Sequence, residues 1–301
     1  MPKPVPPLDL VTLLPSWELS LRAERKSLAT VKSYGDGVRR LLSWCAETGT
    51  APALDKRTVN GLMVALLDAG SQPATVRSRQ LGIRRFSAWL AEENEIPADL
   101  LIGLKAPKLD TKVIEPLTEA QIKALLKACA GKDYRDRRDE ALIRFMVETG
   151  ARAGEVVALG VADVDLSAGT AIVRKGKGGK GRVVPFGPQT ALAIDRYLRA
   201  RRTHKLAATP ALWLGDRNRG FTYYAMHWGL RQRAATAGVD NFHPHLLRHT
   251  AAHRWLAAGG SEGSLMAIAG WSQPDMLMRY TKARASDRAA VEARTLNLGD
   301  L

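Results

Sequence analysis

Five short segments in the second half of the chain carry side chains that can bind or attack a phosphate. These side chains are Arg152, Lys177, His245 with Arg248, Trp271 and Tyr280. Arginine can hold a phosphate through two N–H donors at once, and histidine can move protons near neutral pH. A tyrosine hydroxyl becomes a nucleophile when a neighbouring cation or base helps it to ionise. Together these residue types could bind a phosphate, donate hydrogen bonds to it and move protons near it.

Each segment by itself has a structural alternative. Arg152 follows a helix-ending glycine, and Glu155 three residues later could orient it as an ordinary Arg–Glu pair at a helix start. Lys177 lies in the Gly-rich stretch 176–180, which could be a plain basic turn. No Gly-Lys-Ser/Thr follows there at the spacing of a Walker A loop. Lone tryptophan and tyrosine residues most often serve packing, so the case for chemistry depends on the ordered set.

Zinc is a competing explanation for the histidines. His245, His249 and His253 recur at steps of four, as metal ligands on one helix face could. No acidic or cysteine ligand accompanies them in the sequence, and no HExxH motif is present. We therefore expect no metal and no cofactor, and structural roles for His249 and His253.

Taken in order, the set of Arg, hairpin Lys, His-x-x-Arg, Trp and Tyr resembles the tyrosine recombinases, the integrase family of site-specific DNA recombinases. The spacing of 25 residues from Arg152 to Lys177 and of 32 from Arg248 to Tyr280 fits that family. The resemblance covers nearly the whole chain, with its most specific part in the second half. The N-terminal helices resemble the family's core-binding domain.

The resemblance implies a role for each side chain of the set. Arg152 and Arg248 would be the two catalytic arginines, and Tyr280 would be the nucleophile. His245 could accept the tyrosine proton, and Lys177 could protonate the departing 5′ oxygen. The implied product is a 3′-phosphotyrosine link with a free 5′-OH, which keeps the bond energy, so that rejoining needs no ATP.

Two positions depart from the commonest family pattern. Trp271 stands where most members carry a second histidine, and an indole cannot act as an acid or base near neutral pH. Ala153 and Gly154 replace the commoner bulky residue and serine after the first arginine. Trp271 is still expected to donate a hydrogen bond, and Glu155 to support the site.

The elements that must position these residues can be read from turn and capping signals. Thr170–Lys175 and Arg182–Phe186 flank the Gly-rich stretch and predict a β-hairpin. Thr118 with Gln121 fits a capping box that opens a helix. A helix over Glu140–Glu148 is expected to end just before Arg152, and the rest of this half is expected to be mostly helical.

Four helices are predicted between about Leu10 and Glu92, and they indicate a compact helical domain. The predicted fold is mainly α with a small β-sheet (α+β), in which a helical core-binding domain and a mixed, mostly helical catalytic domain form a C-shaped clamp on DNA. The expected divisions are a flexible Pro-rich arm at 1–9, the DNA-binding domain at 10–96, a linker at 97–116, the catalytic domain at 117–283, and a tail helix for protomer contact at 284–301.

Composition supports a polyanionic partner. The 301 residues are 46% hydrophobic and 25% charged, which is globular composition and excludes a disordered chain. The net charge of +15 favours nucleic acid, and residues 111–301 hold most of it, with 30 basic and 18 acidic side chains. Cys45 and Cys129 form no disulfide framework, and no long apolar run predicts a membrane span or a signal peptide. We expect a cytoplasmic protein on DNA, in a bacterial cell or a phage-infected host.

Basic side chains at intervals of seven and eight residues suggest a phosphate-facing surface on two of the N-terminal helices, although solvated outer faces are the alternative. The candidate DNA-binding residues are Lys32, Arg39 and Arg40, then Arg77, Arg84 and Arg85, with Lys180 in the Gly-rich turn. The expected partners are double-stranded DNA attachment sites, other protomers in a homotetramer that forms on DNA from free monomers, and a directionality factor.

Several functions remain open within this interpretation. The Pro-rich arm and Trp271 favour a phage or mobile-element integrase that integrates a viral genome, and a Xer-type chromosome-dimer resolvase is the alternative. A type IB topoisomerase uses similar chemistry, but the core-binding-like helices argue against it. A non-catalytic DNA-binding regulator on the same fold would be expected to lose part of the active set, which is complete here.

Overall fold

The protein is described from a computed structural model. The structure describes residues 9–109, 114–174, 181–216, 219–271, 273, 277 and 293–295. Three of the expected site residues, Lys177, Lys180 and Tyr280, lie outside these ranges, as do most of the Pro-rich arm and most of the tail. The chain divides into two units, residues 1–112 and 113–301.

The first unit contains four helices, α1 (Leu10–Ala23), α2 (Leu28–Thr48), α3 (Lys56–Asp68) and α4 (Pro73–Glu92). Local signals fix their ends. Ser27 accepts a hydrogen bond from the Thr30 amide, Gly49 ends α2 in the left-handed conformation, and Pro73 opens α4 at its first turn. Side chains from all four helices meet in one core, which includes Trp17, Leu41, Leu62 and Phe86.

Two glycines let α2 and α4 pack closely. A Cβ at Gly37 would lie 2.5 Å from the Arg79 carbonyl oxygen, and one at Gly82 would lie 2.4 Å from the Tyr34 carbonyl oxygen. No larger residue fits at either place without moving backbone, so these glycines set the spacing of the helix pair that carries the candidate DNA-binding residues.

Part of the expected linker belongs to the first unit. Leu101 and Leu104 are buried in its core, and Asp99 accepts a hydrogen bond from Ser87. The Gln80 amide donates to the Lys105 carbonyl oxygen at 3.0 Å. The prolines and charges of this segment suggested a linker, but the burial of Leu101 and Leu104 holds its first part on the domain.

The second unit is mostly helical, with a small sheet. Its helices are α5 (Glu119–Lys127), α6 (Tyr134–Thr149), α7 (Ala153–Val157), α8 (Pro188–Arg201), α9 (Tyr223–Thr236), α10 (Pro244–Ala257) and α11 (Glu262–Ala269). Strands β1 (Val164–Asp165), β2 (Thr170–Val173) and β3 (Arg182–Pro185) form an antiparallel sheet in the order β1-β2-β3. The predicted class, mainly α with a small β-sheet, is confirmed.

Helix α6 and its neighbours form the core that carries the site. Leu142, Phe145 and Met146 of α6 are fully buried, and α6 packs against α8 and α10. The helix begins six residues before the predicted start at Glu140, and its first turn is held by a hydrogen bond from the Asp133 backbone N–H to the Asp136 carboxylate at 3.3 Å. In the described part of the chain, no helix has the length and apolar character that crossing a membrane requires.

Candidate active site

The end of α6 places Arg152. Gly150 ends the helix in the left-handed conformation, with φ of 61°, and the next turn leads directly into α7. The Thr149 hydroxyl donates to the Phe145 carbonyl oxygen at 2.6 Å and accepts from the Ala151 amide at 3.2 Å, which fixes the turn. Arg152 is the residue that precedes the first residue of α7, and its side chain is partly exposed.

Glu155 orients Arg152, as its spacing suggested. The Arg152 backbone N–H donates to Glu155 Oε2 at 2.9 Å, and Arg152 Nη1 donates to Oε1 at 2.9 Å. Burial raises the pKa of the Glu155 carboxyl, but hydrogen bonds from Arg182 and Arg152 outweigh it, so this pKa lies below its ordinary value. Glu155 is therefore an ionised, buried anchor for cations.

Arg182 is the residue of this cluster that the sequence reasoning missed. It opens β3, and its guanidinium donates to both carboxylate oxygens of Glu155, at 3.1 and 2.7 Å. The signal available in the sequence was a charged residue at the first position of the second hairpin strand, where the side chain turns inward and needs a charged partner.

Arg248 is held in the interior by backbone carbonyls. It lies on α10, which Pro244 opens, and its side chain is almost completely buried. Arg248 Nη1 donates to the Gly150 carbonyl oxygen at 2.5 Å, and Nη2 donates to that of Ala269 at 2.8 Å. The guanidinium lies 5.2 Å from the centroid of the Trp271 ring. The structure thus brings Arg152, Glu155, Arg182, Arg248 and Trp271 into one connected cluster.

The first two histidines of α10, His245 and His249, differ in their exposure. His245 is exposed, one turn from Arg248, and its ring lies 5.1 Å from that of His249, edge to face. Burial, with the positive charge of neighbouring histidines, lowers the pKa of His249 to about 4. His249 is therefore neutral near neutral pH, and His245 is the accessible histidine of the pair. Among the described residues, no three His, Cys, Asp or Glu side chains are arranged to hold a metal ion.

The candidate DNA-binding residues of α2 have acidic neighbours. Lys32 pairs with Asp36 at 3.0 Å, Arg39 with Glu18 at 2.7 Å and with Asp36 at 3.4 Å, and Arg40 with Glu47 at 2.8 Å; all four are ion pairs at the surface.

The candidates of α4 differ from those of α2. Within the described ranges, Arg77, Arg84 and Arg85 make no ion pair, and Arg77 and Arg85 are exposed. The two sets carry the same formal charge, so they differ in how readily a phosphate could engage them.

Comparison with known proteins places the chain among recombinases. Residues 115–287 match the model of the phage integrase family. Tyrosine recombinase XerD of Bifidobacterium longum is 28% identical over 84% of this chain and 86% of that protein. Tyrosine recombinase XerC of Pseudomonas aeruginosa is 27% identical over 91% of each. The crystal structure of XerH bound to a palindromic difH substrate has the same fold, with a TM-score of 0.72 and 16% identity over 94% of this chain and 84% of that one.

Proposed function

This chain belongs to the phage integrase family, and we propose that it is a tyrosine recombinase that cleaves and rejoins DNA at specific sites. The observation that carries the proposal is the connected cluster of Arg152, Glu155, Arg248 and Trp271, with His245 one helical turn away. The resemblance supplies the remaining roles, those of Lys177 and Tyr280, which are proposals.

In the proposed cleavage step, the Tyr280 oxygen attacks the scissile phosphorus. An O–P bond to tyrosine forms, and the bond from phosphorus to the 5′ oxygen breaks. His245 takes the tyrosine proton, and Lys177 gives a proton to the leaving 5′ oxygen. The 5′-OH of a second strand then reverses these steps, so that strands are exchanged with no net change in the number of phosphodiester bonds.

The anchoring of the arginines suits the charge that develops on phosphorus. Arg152 and Arg248 each donate to a backbone carbonyl near the end of α11, which holds their guanidinium groups before DNA arrives. Donors that are already oriented need little reorganisation in the transition state, and each such donor can be worth about 3 kcal/mol. The Trp271 indole N–H would be a further donor to the same oxygens.

We propose duplex DNA as the partner and a homotetramer acting on two duplexes as the assembly. Lys32, Arg39, Arg40, Arg77, Arg84, Arg85 and Lys180 are the proposed DNA contacts. A tail helix over 284–301 would bind a neighbouring protomer, and a directionality factor would choose between forward and reverse reactions. The proposed location is the cytoplasm of a bacterial cell or of a phage-infected host.

We propose that the biological task is integration of a mobile DNA element, with Xer-type resolution as the alternative. The Pro-rich arm and Trp271 favour integration of a phage or mobile element, whereas the names of the curated relatives favour the Xer type. Two plasmid assays separate these tasks. An integrase should join two plasmids that carry different sites, whereas a Xer-type resolvase should reduce a plasmid dimer that carries two copies of one site.

Covalent trapping tests the proposed chemistry. The protein is mixed with fragmented DNA from its source and denatured in detergent, and the DNA that stays attached to it is sequenced. Tyr280→Phe should abolish attachment. Tyr34→Phe, which alters a tyrosine of the first unit that stacks on Trp17, is the matched control and should leave attachment intact.

Each outcome of the trapping experiment is informative. Attachment at one inverted-repeat site, lost only in Tyr280→Phe, supports a site-specific recombinase and identifies its target. Dispersed attachment would indicate a topoisomerase instead. Tight DNA binding without attachment would contradict the proposal and favour a non-catalytic regulator.

A further inference from the structure

Three arginines, one in β3, one in α10 and one in the turn before α7, bind three successive carbonyl groups at the end of α11. Arg182 Nε donates to the Ile268 oxygen at 2.6 Å, Arg248 Nη2 to the Ala269 oxygen at 2.8 Å, and Arg152 Nη2 to the Gly270 oxygen at 2.9 Å. The last carbonyls of a helix lack partners within the helix and carry the negative end of its dipole. Guanidinium groups satisfy both needs, so the end of α11 and the three arginines fix one another.

Arg182 is joined a second time to the same cluster through Glu155. The fork of Arg182 spans both Glu155 oxygens, and the same carboxylate binds the backbone N–H and the side chain of Arg152. The side chains of Arg182 and Glu155 are only 10% and 6% exposed. Because it is buried to this degree, Arg182 acts on the site through Glu155 and α11, rather than by contact with DNA.

The position of Arg182 also determines where the chain leaves α11. A Cβ at Gly270 would lie 3.1 Å from the Arg182 guanidinium, so this side chain packs directly on the backbone before Trp271. The Trp271 backbone N–H donates to the Met266 carbonyl oxygen at 2.9 Å, which continues the helix end toward the indole. Movement at Ile268 would therefore reach Trp271, whose ring packs against Arg248.

We propose that Arg182 is a positioning residue of the recombinase site, which holds Arg152 through Glu155 and holds Trp271 through the end of α11. This inference rests on the proposed function, because the arrangement it maintains is the one that would bind the scissile phosphate. Arg182 lies outside the set of residues proposed to take part in the reaction itself, which are Arg152, Lys177, His245, Arg248, Trp271 and Tyr280.

The first test compares cleavage by Arg182→Gln, Arg182→Lys and the control Arg174→Gln. Arg174 follows β2, the strand paired with β3, and its side chain pairs with Asp163 at 2.5 Å. Within the described ranges, no hydrogen bond or ion pair joins Arg174 to the cluster. On the target site identified by covalent trapping, both Arg182 variants should cleave about 100-fold more slowly at saturating protein. The reason is that a misplacement of a catalytic group by about 1 Å lowers the rate by about that factor. Their affinity for DNA should stay within about twofold of wild type, and the control should cleave normally.

The pH dependence of cleavage separates charge from geometry. Among the described residues, the charged groups that bond Glu155 are Arg152 and Arg182. Without the Arg182 cation, Glu155 should protonate at a higher pH, so the acid limb of the Arg182→Gln rate profile should move to higher pH. Arg182→Lys keeps the cation but not the planar fork, so its limb should stay near that of wild type while its rate stays low.

A measurement without DNA keeps the inference separate from the proposed function. In both Arg182 variants the Trp271 amide should exchange its hydrogen about tenfold faster, as loss of one charged hydrogen bond allows. In Arg174→Gln it should exchange at the wild-type rate.

Failure of the proposed function and failure of the positioning role give different results. Wild-type protein that never attaches to DNA would end the proposed function, and amide exchange would still decide whether Arg182 holds α11. If the Arg182 variants match Arg174→Gln in rate, pH profile and exchange while wild type cleaves, the positioning role alone is wrong.

Discussion

Glu155 makes the stability of the catalytic unit depend on one buried charge. Removing one partner of a buried ion pair leaves the other unpaired, so Glu155→Gln should cost about 2–4 kcal/mol in the free energy of unfolding at pH 7. Folding lowers the pKa of Glu155, so its contribution is complete above the ordinary value of 4.5 and is lost as pH falls through the lowered one. In urea denaturation, the difference in unfolding free energy between wild type and Glu155→Gln should narrow only below about pH 4.5.

The control for this prediction is Glu119→Gln. Glu119 pairs with Arg254 at the surface, and exposed pairs contribute at most about 1 kcal/mol. Equal losses from the two variants would mean that Glu155 is an ordinary surface acid in energetic terms.

His249 should contribute a separate acid sensitivity. Its pKa falls from 6.5 to about 4 on folding, chiefly through burial and then through neighbouring positive charge. Between these values the unfolded chain binds a proton that the folded protein does not. Stability should therefore fall as pH drops from 6.5 toward 4, by up to about 1.4 kcal/mol per unit.

The measurement is the slope of unfolding free energy against pH in that window. His249→Asn should flatten this slope relative to wild type. An unchanged slope in His249→Asn would show that this histidine is not the titrating group.

At the scale of the residue, the sequence predicted the residues proposed for catalysis better than the residue that positions them. Arg152, Glu155, Arg248 and Trp271 were named from type and spacing, and the structure brings these four together. Arg182 was missed because it meets Glu155 across 27 residues and through the pairing of a strand with a helix end, which no local pattern records.

At the scale of the element, the glycines that follow the C-terminal ends of α10 and α11 can be compared directly. Gly270 and Gly259 both have left-handed backbones, with φ of 63° and 81°. A Cβ at Gly259 would meet nothing within 4 Å, whereas one at Gly270 would press on the Arg182 guanidinium. Gly259→Ala should therefore cost only the backbone strain of about 1 kcal/mol.

Gly270→Ala should cost more than Gly259→Ala. The same strain applies, and Arg182 would have to leave the bonds that hold it to Glu155 and Ile268, which should bring the total to about 2–4 kcal/mol. Thermal denaturation of the two variants checks this order. Equal melting temperatures would mean that Arg182 moves aside without loss.

Element boundaries were predictable where caps and periodicity agreed. The first unit has the predicted number of helices within the predicted span, and β2 and β3 lie close to their predicted ranges. Ser27, Pro73 and the alternation in β2 and β3 are local signals. The two-residue strand β1 was missed, since so short a strand is defined only by its pairing with β2. The packing of Leu101 and Leu104 was missed for a related reason, as tertiary contact overrides a loop-like composition.

At the scale of the whole molecule, net charge predicted a class of partner but not which cations are available to it. The +15 balance counts every lysine and arginine equally. The structure separates them, because the candidates on α2 have carboxylates within 3.4 Å, and those on α4 make no ion pair within the described residues. A phosphate must compete with Asp36, Glu18 or Glu47 for the first set, and it meets no such competitor at the second.

This difference predicts unequal salt dependence of binding to a nonspecific DNA duplex. Each phosphate contact contributes about 0.9 to the slope of log affinity against log salt concentration, through counterion release. Replacing Arg77, Arg84 and Arg85 together by alanine should lower the slope by about 2 to 3. Replacing Lys32, Arg39 and Arg40 should lower it by less than about 1, because each must leave a carboxylate before it can neutralise a phosphate. Both variants lose three positive charges, so a general effect of net charge would reduce the two slopes equally. That result would contradict the prediction that the α4 arginines engage phosphates more readily than the α2 cations.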